Sequence, residues 1–140
     1  MPDAPSSVNA AMSVAASALR AQQARMRVIA ENIANADSTA TTPGGDPYQR
    51  QSPQFKPATQ AGGAMGVEMT GVVADSTPYR KEYSPGNPAA DAQGYVKMPN
   101  VDPLTEALDM KQAQRAYEAN LSVIETARSM QSRTLDLLKK

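Results

Sequence analysis

Helix breakers in this chain are gathered in its middle. Nine of the eleven prolines and all eight glycines fall between Asp37 and Pro103. Proline removes a backbone donor and clashes with the preceding turn, and glycine raises the entropic cost of ordering. The two ends are therefore free to form long helices, and the middle is not. Two lone terminal helices cannot bury their apolar stripes well, so the layout demands neighbours and favours assembly over chemistry.

The N-terminal pattern predicts a helix capped by Ser6 or Ser7 and running to about Ala36. A heptad reading places Met12, Leu19, Met26 and Ile33 at one position and Ala15, Gln22, Ile29 and Ala36 at the other. Alternating steps of four and three residues make the narrow seam of a coiled coil, not the wider stripe of a globular-domain helix. Eleven of the first 36 residues are alanine. That fits either close approach of other helix faces to neighbours or simple helix propensity.

The C-terminal helix has a defined start, with Asp102 as N-cap and Pro103 at the first helical position, where its missing N–H is not needed. Met110, Ala113, Tyr117, Leu121, Ile124, Ala127, Leu135 and Leu138 then recur at spacings near one turn. Lys139 and Lys140 suit the negative end of the helix dipole. At 1.5 Å per residue the helices would span roughly 45 and 54 Å, and paired alone each buries one thin seam.

Between them, Val67, Met69, Gly71 and Val73 lie on one face of an alternating run. Tyr79–Tyr83 alternates again and Tyr95–Met98 is a further short strand, while Tyr48–Gln51 and Gln54–Lys56 form another, broken by Pro53. Turn signals separate them at Pro43–Pro47, Ala61–Gly63 and Pro85–Pro88. The fold class is α+β: long N- and C-terminal helices packed as a coiled-coil-like hairpin around a small, loop-rich antiparallel β insert. Residues 1–36 with 101–140 form a helical assembly domain and 37–100 the insert. The insert has few large apolar groups and is expected to be ordered partly by other subunits.

Charge excludes several functions. Lys+Arg and Asp+Glu number fourteen each, and the balance also holds within the two ends and the middle, so no field attracts nucleic acid or anionic lipid. With one Phe, five Tyr and no Trp there is no aromatic-interleaved basic patch. The absence of Cys and His removes disulfides, thiolate nucleophiles, soft-metal sites and the commonest proton-transfer group. No apolar run approaches the roughly 20 residues of a membrane span. Asp3 and the interrupted stretch Ala10–Leu19 make a poor signal peptide, so the chain is expected to be cytoplasmic or exported without cleavage.

Two stretches stand out. In Glu31–Thr39, Asn35, Asp37 and Ser38 can simply end a helix. Alternatively Asn32 and Asn35, three apart, hydrogen-bond an adjacent helix or loop and fix its register. Tyr83–Asp102 packs Pro85-Gly86, Asn87-Pro88, Gly94 and a helix entry into twenty residues, either as an ordinary connector or as a loop of specified shape.

The stretch Asn32–Ser38 followed by Pro47-Tyr48 resembles the N-terminal signature of flagellar axial proteins. Pro85–Asp102 resembles the central motif of the FlgC family of proximal-rod proteins, and Glu106, Tyr117–Asn120 and the tail to Leu138 are similar to that family's C-terminal helix. The resemblance spans nearly the whole chain; Met1–Ser7 and Pro53 have no counterpart. It implies a structural subunit of the rod that crosses the periplasm in the basal body, exported uncleaved through the type III apparatus. The terminal helices would pack from subunit to subunit as a tubular inner layer, with the β element outside. Implied partners are copies of the chain, other rod proteins, the MS-ring and the adaptor between ring and rod, with no nucleic acid, membrane span or cofactor.

Candidate interface residues are Met12, Leu19, Met26, Ile29, Asn32, Ile33, Asn35, Tyr117, Asn120, Leu121, Ile124, Leu135 and Leu138. The specified loop rests on Pro85, Gly86, Asn87, Pro88, Asp91, Gly94, Tyr95, Pro99, Asn100 and Asp102. An enzyme is disfavoured, because no phosphate loop, nucleophile elbow or metal-spaced cluster is present and Glu118, Glu125 and Arg128 fit solvated helix pairs. A soluble helical-hairpin adaptor or export chaperone is a further alternative, set against it by the long Pro/Gly-rich insert.

Overall fold

The computed structural model describes residues 4–139. Helix α1 spans Ala4–Ala34 and helix α2 Pro103–Leu138. Between them lie strands β1 (Gln51–Thr59), β2 (Met65–Ala74), β3 (Arg80–Tyr83) and β4 (Tyr95–Met98), with a 3-10 turn at Ala61–Gly63. The class is α+β, and the strands form two separate two-stranded sheets, β1–β2 and β3–β4. Because α1 already includes Ala4, both Ser6 and Ser7 lie inside the helix and neither is its N-cap. The side chain of Ser6, the residues of Met1–Ser7 before Ala4, and Lys140 lie outside what is described.

Asp102 caps α2 as its residue type requires. Its carboxylate accepts from the Leu104 N–H (3.1 Å) and the Thr105 hydroxyl (2.8 Å), and those bonds hold its pKa below the usual value, the Thr105 hydroxyl most of all.

The structure divides into two compact units. One comprises residues 1–26, 54–71 and 112–140, the other residues 27–53 and 72–111. In the first, the Gln131 amide donates to Asn9 Oδ1 (2.6 Å), bringing the start of α1 to the later part of α2. The β1–β2 hairpin is tied to α1 by Ser13 Oγ donating to Ala61 O (3.3 Å), by Val67 N–H donating to Ser17 Oγ (3.2 Å) and by Arg20 on Gln60. A Cβ on Gly66 would collide with Ser17 Oγ, so this close approach needs glycine.

Strand β1 runs through Pro53, where the sequence predicts a break. The register explains why. Gln60 N–H donates to Ala64 O (2.7 Å), Lys56 faces Glu68 (4.0 Å), and Thr70 Oγ1 reaches Gln54 O (3.3 Å). That register turns the even-numbered backbone groups of β1 toward β2 and the odd-numbered groups outward. Pro53 and Pro57 are both odd, so neither removes a ladder bond.

In the second unit β3 and β4 pair antiparallel, Arg80 opposite Met98 and Tyr83 opposite Tyr95. Val96 and Met98 point inward with Ala89 to form a buried cluster, supported by Ala40 and Ala90. The insert thus holds apolar burial of its own, more than its composition suggests. On the other face the Tyr83 and Tyr95 rings meet edge to face, 5.3 Å apart.

Candidate functional site

Two residues before the end of α1, off the predicted seam, the sequence places an asparagine on the buried side of the helix. Asn32 is 1% exposed, whereas the neighbouring Ile33 is 39% exposed. The amide earns that position by acting as a strand. Asn32 Nδ2 donates to Gln51 O (2.9 Å) while Oδ1 accepts from Gln51 N–H (2.9 Å), closing the outward edge of β1 at its first residue. Oδ1 also accepts from the Tyr48 hydroxyl (2.7 Å). An apolar residue here would leave two backbone groups and a phenol unpaired, each costing about 1–3 kcal/mol if buried.

Next to it sits Glu106, in the first turn of α2 and wholly buried. Its carboxylate accepts from Arg50 Nε and lies 3.4 Å from Asn32 Nδ2. The same guanidinium reaches Asp75 at 3.3 Å and Asp109 at 3.7 Å. Hydrogen bonding to Glu106 is the main reason that the Arg50 pKa rises above its ordinary value, against desolvation. Burial first, then the charges of Glu31 and Glu106, raise the Tyr48 phenol. The Thr77 hydroxyl and N–H, ahead of Arg50, lower Asp75.

Asn100 completes this clasp. Arg50 N–H donates to its Oδ1 (2.7 Å), and its Nδ2 donates to Asp75 O (3.0 Å) and Thr77 O (2.9 Å). The end of α1, the entry to β1, the β2–β3 connection, the loop before α2 and the start of α2 are thereby joined through one set of polar groups.

The loop leading to Asn100 has a defined shape. Asp91 accepts from the N–H groups of Gln93 and Tyr95 (both 2.9 Å), and Asn87 Oδ1 from Ala89 N–H (2.9 Å). Gly94 lies at φ +87°, where a Cβ would stand 2.9 Å from Tyr83 Cε2 and 3.2 Å from Pro85 Cβ. Ser84 N–H donates to Gly94 O, joining the loop's two ends. Pro99 is buried, Pro85 and Pro88 are exposed, and Gly86 has open space at an ordinary φ, with nothing to require glycine there.

Of the candidate interface residues, Ile29 and Asn32 are buried within the chain, while Met12, Leu19, Met26, Tyr117, Asn120 and Ile124 are partly covered. Asn35, unlike Asn32, bonds its own helix: its Nδ2 donates to Glu31 O. Asn120 likewise bonds Ala116 O. Ile33, Leu121, Leu135 and Leu138 are exposed, as are Leu104, Leu108, Val123, Met130 and Leu137. On α2 the covered positions Glu106, Met110, Ala113, Tyr117, Asn120, Ile124, Ala127 and Gln131 alternate four and three apart. Leu121 and Leu135 stand off that line, and Leu138 lies on its continuation beyond the last covered position.

Arg50 and Asp75 escape sequence reasoning because their partners are 56 and 25 residues distant. Glu106 carries a legible signal: it is in phase with Met110, Ala113 and Tyr117, so it falls on the covered face.

Residues 12–40 match the family model described as flagella basal body rod protein, and residues 92–137 that described as flagellar basal body rod FlgEFG protein C-terminal. The chain is 46% identical over 133 residues to the flagellar basal-body rod protein FlgC of Agrobacterium fabrum, covering 94% of this chain and 96% of that protein. This chain belongs to the FlgC family of flagellar basal-body rod proteins. The Salmonella typhimurium FlgC is 46% identical over 125 residues (89% and 92% covered), and that of Borreliella burgdorferi 37% over 146 (91% and 95%). Membership makes the chain a structural subunit of the basal-body rod, not an enzyme. Within the FlgC-family chain, Asn32 falls in the first matched stretch and Asn100 and Glu106 in the second.

Proposed function

We propose that this chain is a proximal-rod subunit that assembles through its terminal helices with copies of itself and with the other rod proteins. The observation carrying this is that six large apolar side chains are left open on α2, Val123, Met130 and Leu137 at seven-residue steps on one face and Leu121, Leu135 and Leu138 off that face, in a chain related to FlgC over nine-tenths of its length. Large apolar groups left open at helical repeat mark a protein interface. Residues 1–36 with 101–140 serve as the assembly part, in coiled-coil-like packing, and 37–100 project outward from it. The subunit reaches the periplasm uncleaved through the type III export apparatus and joins the MS-ring and its adaptor at the base of the rod.

Leu121→Asp tests the helical face. Leu121 is exposed in the chain, so the variant keeps the wild-type circular dichroism and melting temperature. In a rod interface its carboxylate loses hydration, which costs several kcal/mol, and incorporation into basal bodies and swimming are lost. Normal basal bodies from this variant would remove Leu121 from the interface.

A further inference from the structure

We propose that the apolar face of the β1–β2 hairpin docks into the open helical groove of a second copy of this chain. The proposal rests on the rod reading above. The register that explains Pro53 also makes the hairpin amphipathic. Side chains alternate across a strand, so Phe55, Pro57, Met65, Val67 and Met69 share one face, while Gln54, Lys56, Glu68 and Thr70 share the other. Phe55 is 39% and Met65 62% exposed, so the apolar face is open while the polar one carries the Lys56–Glu68 pair.

The edges of this hairpin are poor templates for strand addition. Pro53 and Pro57 lack outward donors, Asn32 occupies the outward groups of Gln51, and Ser17 takes the outward N–H of Val67. A partner must therefore meet the face.

The same unit offers a surface of matching chemistry. A groove of about 370 Å³ is lined by Val8, Ala11, Val123, Ala127 and Met130, with Ser7, Ser122 and Thr126. That volume admits a few side chains of the size of Phe55 and Met65. The hairpin of the same chain cannot fill it, because Ser13, Ser17 and Arg20 hold the hairpin farther along α1. The chain has zero formal net charge, so copies do not repel one another. A contact between two different surfaces of identical chains closes into a ring or, where the rotation does not close, propagates as an open helical array, which is the geometry of a rod.

The natural chain has no cysteine, so introduced thiols report without background. A strain co-expresses two differently tagged copies, one Met65→Cys and one Val123→Cys, and its isolated basal bodies are treated with a short bismaleimide. The expected product is a covalent dimer carrying both tags, absent when either copy is expressed with a cysteine-free partner. If both copies enter basal bodies and no mixed dimer forms, or only Met65–Met65 dimers form, the docking is wrong and the rod reading stands. If neither copy is found in basal bodies, both fall.

Discussion

Replacing Arg50 by methionine isolates the energetic core of the clasp. Glu106 is the most deeply buried charge in the described residues, its side chain 1% exposed, against 24% for Arg50. With Arg50 removed, its nearest remaining donor is Asn32 Nδ2 at 3.4 Å, which is also committed to Gln51 O. Breaking a buried pair by removing one partner costs about 3–5 kcal/mol. The low end applies here, since Arg50 is partly hydrated and Asn32 Nδ2 still faces the carboxylate. A loss of about 3 kcal/mol corresponds to a fall of roughly 10 °C in Tm for a chain of this size.

Thermal and urea unfolding of the monomer at pH 7, followed by far-UV circular dichroism, measures the loss. The double variant Arg50→Met with Glu106→Leu removes both charges and recovers much of it, as replaced buried pairs commonly do. The ordering of variants is the critical result. If Arg50→Met melts within about 0.5 kcal/mol of the parent chain, the range of an ordinary surface substitution, or if the double variant is less stable than Arg50→Met, the clasp does not hold the fold as described.

Gly94→Val places a β-branched side chain at φ +87° against Tyr83 and Pro85. Strain of about 1–3 kcal/mol is expected, read as a lower urea midpoint with the Tyr83–Tyr95 near-UV signal diminished; Gly86→Val, with open space around it, should leave both unchanged. Asp102→Ala removes the cap of α2 and should lower the midpoint of the same urea titration. Asp75 and Asp102 titrate below their ordinary 3.8 in the folded chain, so their stabilisation is present above about pH 4 and fades as pH falls through the lower folded values. The Tyr48 phenol is raised above 10.0, so stability falls above that pH, and Tyr48→Phe should flatten the alkaline limb of a Tm-against-pH curve while leaving the acid limb in place.

Some of this molecule is local and therefore readable in one dimension. Both helices follow from the distribution of proline and glycine, the cap at Asp102 from its residue type, and the β2 face from the alternation of Val67, Met69 and Gly71. Gly94 was legible because a glycine in a chain of turn residues commonly marks a positive φ. Other features depend on which partner the chain meets. A proline breaks a strand or leaves it intact according to which way its nitrogen faces, and only pairing with β2 turns Pro53 outward. Asn32 and Asn35 are the same residue three positions apart, yet one closes a strand edge and the other bonds its own helix, because only Asn32 faces Gln51.

The sequence by itself determined the two helices, the broken middle and the demand for partners, since these arise from backbone propensity and periodicity within a few turns. Tertiary structure alone decided that Arg50 answers Glu106 from 56 residues away, and that the hairpin turns an apolar face outward. The physical reason is the same in each case: a charge, a backbone edge or a strand face has no fixed energetic sign until the fold sets what surrounds it.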